Sequence, residues 1–458
     1  MRRASKPTLE GVAKDVAKVP AGSNRNTSPA APHYEFGGPV GAGFIVLTLP
    51  GVVLALYYLC GREYCLQFGL DSMWAALDHL PGGLRDLVSP LAGAIFLAWF
   101  LFQVLLDRIL PGETVDGVAL KDGSRLKYKM NGHLAFWVSL LAMGHGMPVL
   151  DDSGGIIGMG PLRLSVLYDY YAELAVASIV FSFALSVALY VASFRKGAQL
   201  AKGGTSGNAV YDFYMGRELN PRIGGLDLKC FCELRPGLIG WTVLNLGMAC
   251  KQYERLGYVS LPMILVNLFQ GVYVWDALHH ERSILTTMDI TTDGFGFMLV
   301  FGDLCWVPFV YSLQARCVVD HNPSLPTWAC AAICALNFVG YAIFRGANGQ
   351  KDAFRRDPKA PGVSHLSVLK TKRGTKLLIS GWWGMARKIN YTGDWIMGLS
   401  WCLTTGFVSP VPYFYCVYFG VLLVHRALRD DVACHLKYGS DWDAYKHAVP
   451  NMFVPGLF

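Results

Sequence analysis

Charge is scarce in this 458-residue chain. Asp, Glu, Lys and Arg together make up 16% of it, where a soluble domain carries about a quarter. Hydrophobic residues are 53% and the mean hydropathy is +0.34. That balance excludes an ordinary soluble enzyme and points to lipid as the solvent. A dinucleotide fingerprint is also missing. The Gly-rich stretches at 37–43 and 154–160 do not have the G-x-G-x-x-G spacing, and neither lies between a strand and a helix, so a Rossmann domain is not supported. The 12 cysteines form no zinc or redox pattern. Cys60 and Cys65 flank a short connector, Cys230 and Cys232 are too close for C-x-x-C, and Cys330 and Cys334 fall inside an apolar run. They read as packing residues, and no metal site is expected. No internal repeat is visible, and the N-terminal stretch lacks the apolar core and cleavage site of a secretory signal.

What the chain does have is a series of apolar runs long enough, or nearly so, to span ~30 Å of hydrocarbon. They lie near 40–60, 90–107, 131–149, 168–193, 237–253, 258–278, 295–314, 326–345, 393–409 and 411–427. The expected fold is all-α: a polytopic integral membrane protein with about ten transmembrane helices. The last two runs meet at Ser409 and Pro410, which suggests a broken or re-entrant pair. Residues 1–35 are polar and basic, and read as a disordered cytoplasmic tail; residues 36–458 read as one membrane domain. The net charge of +7 does not signal nucleic acid, because the Lys and Arg residues sit in connectors. The tail and the 108–130, 194–236 and 346–392 loops are basic, whereas 61–89 and 150–167 are neutral or acidic. That asymmetry puts both termini on the cytoplasmic side.

Three polar clusters beside apolar runs call for explanation, since charge near a span is costly. Tyr273, Asp276 and His280 have the i, i+3, i+7 spacing of one helix face, with Glu281 next in sequence. A phenol beside a carboxylate can deliver a proton into an apolar cavity, although the same spacing also fits an interfacial Tyr with charges just outside the bilayer. Arg426, Asp430 and Cys434 are four residues apart, a stripe on a helix leaving the membrane. Such a stripe can hold an anion and the hydroxyls of a ribose, or be an exposed helix with an internal ion pair. Lys351, Arg355 and Arg356 lie close together on one turn or loop after Arg345. They suit a phosphate-rich ligand such as an adenosine 2′-phosphate, or are plain positive-inside charge.

At these residues the chain resembles the sterol reductase family, which includes the sterol C14-, C7- and C24(28)-reductases and the membrane core of the lamin B receptor. Four stretches carry the likeness: Leu110–Asn131, Phe213–Gly240 (F-Y-M-G-R-E-L-N-P-R-I-G through R-P-G-L-I-G), Tyr273–Gln314, and Phe344 to the end. The most specific are L-L-I-S-G-W-W-G-M-A-R-K-I-N-Y-T-G-D and H-R-A-L-R-D-D-x-x-C-H-L-K-Y-G-S-D-W-D-A-Y. The form T-M-D-I-T-T-D-G-F-G-F-M-L, with S-G-W-W-G, is most similar to the C14 branch, while R-K-I-N-Y-T-G stands where the family usually has R-H-P-N-Y-L-G.

The resemblance implies an NADPH pocket within 346–458, facing the cytoplasm. At the matching positions Lys351 and Arg355 would bind phosphates, and Leu378, Trp383, Asn390 and Tyr391 would line the pocket. Arg426, Asp430, Cys434 and Tyr445 would complete it. Tyr273 matches the position of the family's proposed proton donor, with Asp276 or Glu281 tuning or recharging it. The implied reaction is reduction of a sterol C14=C15 double bond, a step of sterol biosynthesis. An isolated alkene must be protonated before it accepts hydride, and no metal or flavin is needed. The implied partners are the sterol and the lipid bilayer, with other sterol-pathway enzymes possible, in the endoplasmic reticulum of a eukaryotic host. A sibling C7- or C24(28)-reductase, an isoprenylcysteine-carboxyl-type membrane methyltransferase and a sterol-binding scaffold are the competing readings.

Overall fold

The computed structural model describes residues 34–61, 87–120, 123–145, 148–150, 156–159 and 163–457. Most of the expected tail, and much of the connectors at 61–89 and 150–167, lie outside them. Seven helices among the described residues are long and apolar enough to cross a membrane. They are α1 (Gly38–Cys60), α2 (Pro90–Ile109), α4 (Tyr171–Ala192), α6 (Leu261–His279), α7 (Phe297–His321), α8 (Thr327–Arg356) and α10 (Val411–Tyr438). The remaining three expected spans form shorter helices: α3 (Gly132–Gly144), α5 (Gly240–Leu256) and α9 (Ile389–Leu403). α5 carries Asn245, Lys251, Gln252, Glu254 and Arg255, so its mean hydropathy falls although it is well buried.

Local chemistry explains where these helices begin. Ser89 caps α2 by accepting the Ala92 N–H at 3.2 Å, with Pro90 at the first helical position. Ser260 caps α6 in the same way at 3.4 Å, again followed by an early proline, Pro262. The outer faces are apolar without being buried: Phe44, Leu47, Trp328, Phe338, Val417 and Val421 are all exposed. In water such a surface would aggregate; in hydrocarbon it is the solvated state. The polar groups instead face inward and satisfy one another. Gln270 on α6 accepts from Trp241 Nε1 (3.1 Å) and Asn245 Nδ2 (2.6 Å), and donates to Gln314 on α7 (3.1 Å). The cysteines behave as packing residues: the eleven among the described residues are free, and all but Cys334 and Cys434 are buried.

Two features depart from the apolar-run reading. First, α8 does not stop near Arg345 but continues to Arg356. Its 30 residues span about 45 Å, so Lys351, Arg355 and Arg356 sit on the last turns of a helix rather than on a loop. Second, short antiparallel hairpins occupy the connectors. β1 (Glu113–Ala119) pairs with β2 (Arg125–Met130), β3 (Val368–Lys370) with β4 (Lys376–Leu378), and smaller pairs join 148–150 to 156–159 and 222–223 to 226–227. β1 and β2 are of ordinary strand length but largely polar, and the other strands are very short, so no apolar run announces them.

Close backbone packing ties the stretches 213–240 and 285–314 together. Gly216 has φ +84°, and a Cβ there would lie 2.2 Å from the Gly296 nitrogen. Two π-helical segments, Glu233–Ile239 and Gly302–Trp306, also meet: a Cβ on Gly237 would lie 2.3 Å from the Asp303 carbonyl oxygen. Such bulges re-aim side chains within an otherwise regular helix.

The described N-terminal start and the end of α10 share one end of the bundle. Glu35 accepts from Arg429 at 3.0 Å, and the Phe36 and His425 rings lie 4.9 Å apart. The β1–β2 and β3–β4 hairpins are at this end too: Arg282, just past α6, donates to Glu113, and Arg373 donates to the Lys437 carbonyl at 3.1 Å.

Candidate active site

Tyr273 projects from α6 into an aromatic enclosure. Its ring centroid is 5.1 Å from Trp401, 6.2 Å from Trp241 and 6.2 Å from Phe344. Tyr311 and Tyr415 extend the enclosure, packed against Trp241 and Trp401 at 5.3 and 5.5 Å. The Asp394 carboxyl on α9 lies near the Tyr273 phenol, close enough for each to feel the other's charge. Asp394 Oδ1 is buried and has no hydrogen-bond partner. A half-buried phenol near a carboxyl with unused capacity, walled by rings, is an arrangement that can hold and move a proton away from water.

The two other acids expected near Tyr273 are held elsewhere. Asp276 is 3% exposed, and both of its oxygens are taken. Tyr341 donates to Oδ1 at 3.0 Å, Arg345 donates to Oδ2 at 2.5 Å, and His280 Nδ1 lies 3.4 Å from Oδ1. Glu281 sits past the end of α6, where both oxygens accept the Gly132 N–H at 2.9 and 3.1 Å, and Arg235 lies 3.8 Å away. Burial raises its carboxyl above the usual range, opposed by Arg235 and the N–H groups. It therefore anchors the start of α3 and lines a cavity that Tyr273 does not border.

The expected cofactor residues converge from α8, the β3–β4 hairpin, α9, α10 and the following helix α11 (Ser440–Ala448). Lys351 Nζ lies 4.2 Å above the Trp383 ring. Trp383 is fixed in turn by donating to the Ala347 carbonyl at 2.8 Å, and it packs with Leu378. Asp430 on α10 pairs with Lys388 and accepts from the Cys434 thiol at 3.8 Å. Lys351 feels Arg355 and Lys388 as like charges and Asp430 as the opposing one. Asn390 Nδ2 donates to Asn348 at 3.2 Å, while its Oδ1 is buried and unpaired. Tyr391 has the Lys388 ammonium 5.6 Å from its ring. Arg426 pairs with Asp289. Tyr445 is buried against Trp442, their rings 4.9 Å apart, and burial pushes its phenol up to about 12. Arg355 is exposed at the rim.

Helical spacing links the two halves. Phe344, Asn348, Lys351 and Arg355 recur at i, i+4, i+7 and i+11, one face of α8. Asn390, Asp394 and Trp401 do the same on α9. One continuous strip therefore leads from the Tyr273–Asp394 pair to the cations, about 16 Å along α8.

The whole of this geometry belongs to the part of the chain that matches known proteins. The Ergosterol biosynthesis ERG4/ERG24 family matches residues 30–458. The chain belongs to that family. Among relatives, the Delta(14)-sterol reductase of Ascobolus immersus is 48% identical over 437 residues, 93% of this chain and 99% of that protein. The Delta(14)-sterol reductase of Methylotuvimicrobium alcaliphilum is 48% identical over 95% of this chain and 99% of its own length. The Delta(14)-sterol reductase TM7SF2 of Mus musculus is 46% identical, covering 93% of this chain and 97% of that protein.

Within this ERG4/ERG24 family member, several site groups escaped the sequence reading. Asp394 ends the quoted N-Y-T-G-D run, but nothing in its spacing ties it to Tyr273, 121 positions earlier. Lys388, the middle of the unusual R-K-I, turns out to be the Asp430 partner. Asp289 and Asp293, both in the T-M-D-I-T-T-D stretch, pair with Arg426 and Arg429. Their signal was present as acids in a quoted motif, but their partners lie more than 130 residues away.

Proposed function

We propose that this protein is an NADPH-dependent delta(14)-sterol reductase. It acts as an integral membrane enzyme whose basic end faces the cytoplasm, in the endoplasmic reticulum where the host has one. Family membership and relatives named Delta(14)-sterol reductase support the reaction class and the sterol substrate. The observation that carries the site assignment is the strip from Tyr273 and Asp394 to Lys351 and Arg355 along α8 and α9.

The residues present suit a phosphorylated dinucleotide. The orphaned Asn390 Oδ1 is an acceptor awaiting a donor. Lys351 and Arg355 offer positive charge for phosphates, and Arg355, at the exposed rim, is suited to a 2′-phosphate. Leu378, Trp383 and Tyr391 supply apolar and ring surface, and Arg426, Asp430, Cys434 and Tyr445 close the wall. When bound, NADPH supplies the hydride.

The chain's own work is protonation and enclosure. Tyr273 donates its phenolic proton to C15 of the C14=C15 alkene, which leaves a tertiary cation at C14. Asp394 holds the phenol oriented, stabilises its polarity in an apolar wall and returns a proton afterwards. Asp276, engaged by Arg345 and Tyr341, sets the position of α6 against α8. Trp241, Trp401 and Tyr415 exclude water that would otherwise trap the cation, and their faces favour positive charge nearby.

The test uses membranes lacking endogenous sterol reductases. An 8,14-dienol sterol is supplied with NADPH, and products are followed by gas chromatography with mass detection. The expected product is two mass units heavier and disappears without NADPH. Folded, NADPH-binding protein that leaves the dienol untouched would overturn the assignment of the double bond.

A further inference from the structure

A cavity of about 340 Å³ lies at the same end of the bundle as the hairpins. It is walled by β2, the end of α2, the 222–227 turn and the segment leading into α5. It shares none of the residues around Tyr273, Asp394, Lys351 or Asp430. Five of its lining residues are Lys or Arg and three are Asp or Glu, so its wall is positive.

The carboxylates are already committed. Glu281 accepts the Gly132 N–H, Asp107 lies 3.1 Å from Arg235 Nη2, and Asp227 Oδ1 accepts the Cys230 N–H at 3.0 Å. The donors are not used up. Arg235 is 3% exposed, yet its Nη1 is buried without a partner. Arg222 Nε and Nη2 are also buried without a hydrogen bond, although Nη2 lies 3.1 Å from Asp227 Oδ2. Tyr128 accepts from Asn220 at 2.7 Å, which leaves its own O–H proton free, and the Arg222 guanidinium stacks 4.6 Å above its ring. Unpaired buried guanidinium donors cost several kcal/mol unless something accepts from them. A planar, delocalised fork of this kind matches the oxygens of a phosphate.

We propose that this cavity is a phosphate-binding site, built around Arg222, Arg235 and the Tyr128 hydroxyl and separate from the reductive site. The volume accommodates a phosphate with a small organic group. Its level, beside Arg108 at the end of α2 and Glu281 just beyond α6, is that of lipid headgroups, where basic pockets between helices capture phospholipids. The same donors would take a soluble phosphate. In either case the ligand ties the β1–β2 hairpin to the start of α5 and stabilises that end of the fold.

The experiment uses the purified full chain in detergent, saturated with NADPH so that phosphate cannot register at the cofactor pocket. Thermal unfolding is followed while titrating inorganic phosphate at constant ionic strength. A second titration uses short-chain phosphatidic acid, with the matching diacylglycerol as control. The expected result is a saturable rise in melting temperature whose half-saturating concentration increases about tenfold or more in Arg222→Gln, the loss of roughly one ion-paired hydrogen bond. Tyr128→Phe, which keeps the ring under Arg222, should weaken the response in the same direction and serves if Arg222→Gln does not fold. NADPH affinity should be unchanged in both. A response to phosphatidic acid alone assigns a lipid headgroup; a response to phosphate alone assigns a soluble ligand; a response to both assigns the phosphate group itself. No rise with either, or equal rises in wild type and variants, overturns the proposal.

Discussion

Replacing Tyr273 with Phe tests the acid assignment most directly. The substitution removes one oxygen from a side chain whose ring is packed at 5.1 Å from Trp401 and 6.2 Å from Trp241 and Phe344. Those contacts survive in Phe, so the fold should be preserved. What is lost is the proton and the hydroxyl facing Asp394. A positioned general acid contributes roughly 10²–10⁴-fold, equivalent to about 3–5 kcal/mol of barrier. Turnover of the 8,14-dienol should fall by that amount, with NADPH affinity and melting temperature close to wild type. Asp394→Asn should also lower turnover, and the double variant should lose little more than Tyr273→Phe alone, because residues acting as a unit are not additive. Turnover of Tyr273→Phe within about threefold of wild type would refute the reasoning. So would fully additive losses, which would mean that Asp394 acts independently of the phenol.

Other expectations concern the remaining parts of the site and the packing that supports it. Arg355→Ala should weaken NADPH binding far more than NADH binding, measured by fluorescence titration; equal losses would show that Arg355 does not read the 2′-phosphate. Glu281→Gln should lower the melting temperature, consistent with about 1–3 kcal/mol lost at the Gly132 and Arg235 contacts, while turnover per folded molecule stays near wild type. A hundredfold drop in turnover at unchanged stability would return Glu281 to the chemistry. Gly216→Ala should cost more than about 3 kcal/mol, since its Cβ would sit 2.2 Å from the Gly296 nitrogen at a φ of +84°. Recovery of normal amounts of monodisperse protein would contradict that packing.

The chain's sequence settles a good deal by itself. Apolar runs separated by basic connectors determine an all-α membrane fold, because hydrocarbon demands internally satisfied backbone. Seven of those runs are helices of spanning length, and three are shorter or more polar helices that pack among them. Helical periodicity also identifies faces: the Arg426–Asp430–Cys434 stripe and the Tyr273–Asp276 face both exist on helices.

Tertiary structure alone decides which faces meet. Asp276 and Glu281 are near Tyr273 in sequence, but Asp276 turns to Arg345 and Glu281 to Gly132, while Asp394 arrives from another helix to face the phenol. Arg426 and Asp430 look like an internal i, i+4 ion pair; in the fold each finds its own partner, Asp289 and Lys388. Lys351 reads as part of a loop, yet α8 continues through it, because the hydrophobic signal fades where a helix leaves the bilayer while its backbone hydrogen bonds do not. Periodicity along one helix sets the direction of a side chain. Its partner is set by how helices cross and by which desolvated charges must be neutralised, and neither is a local property of the chain.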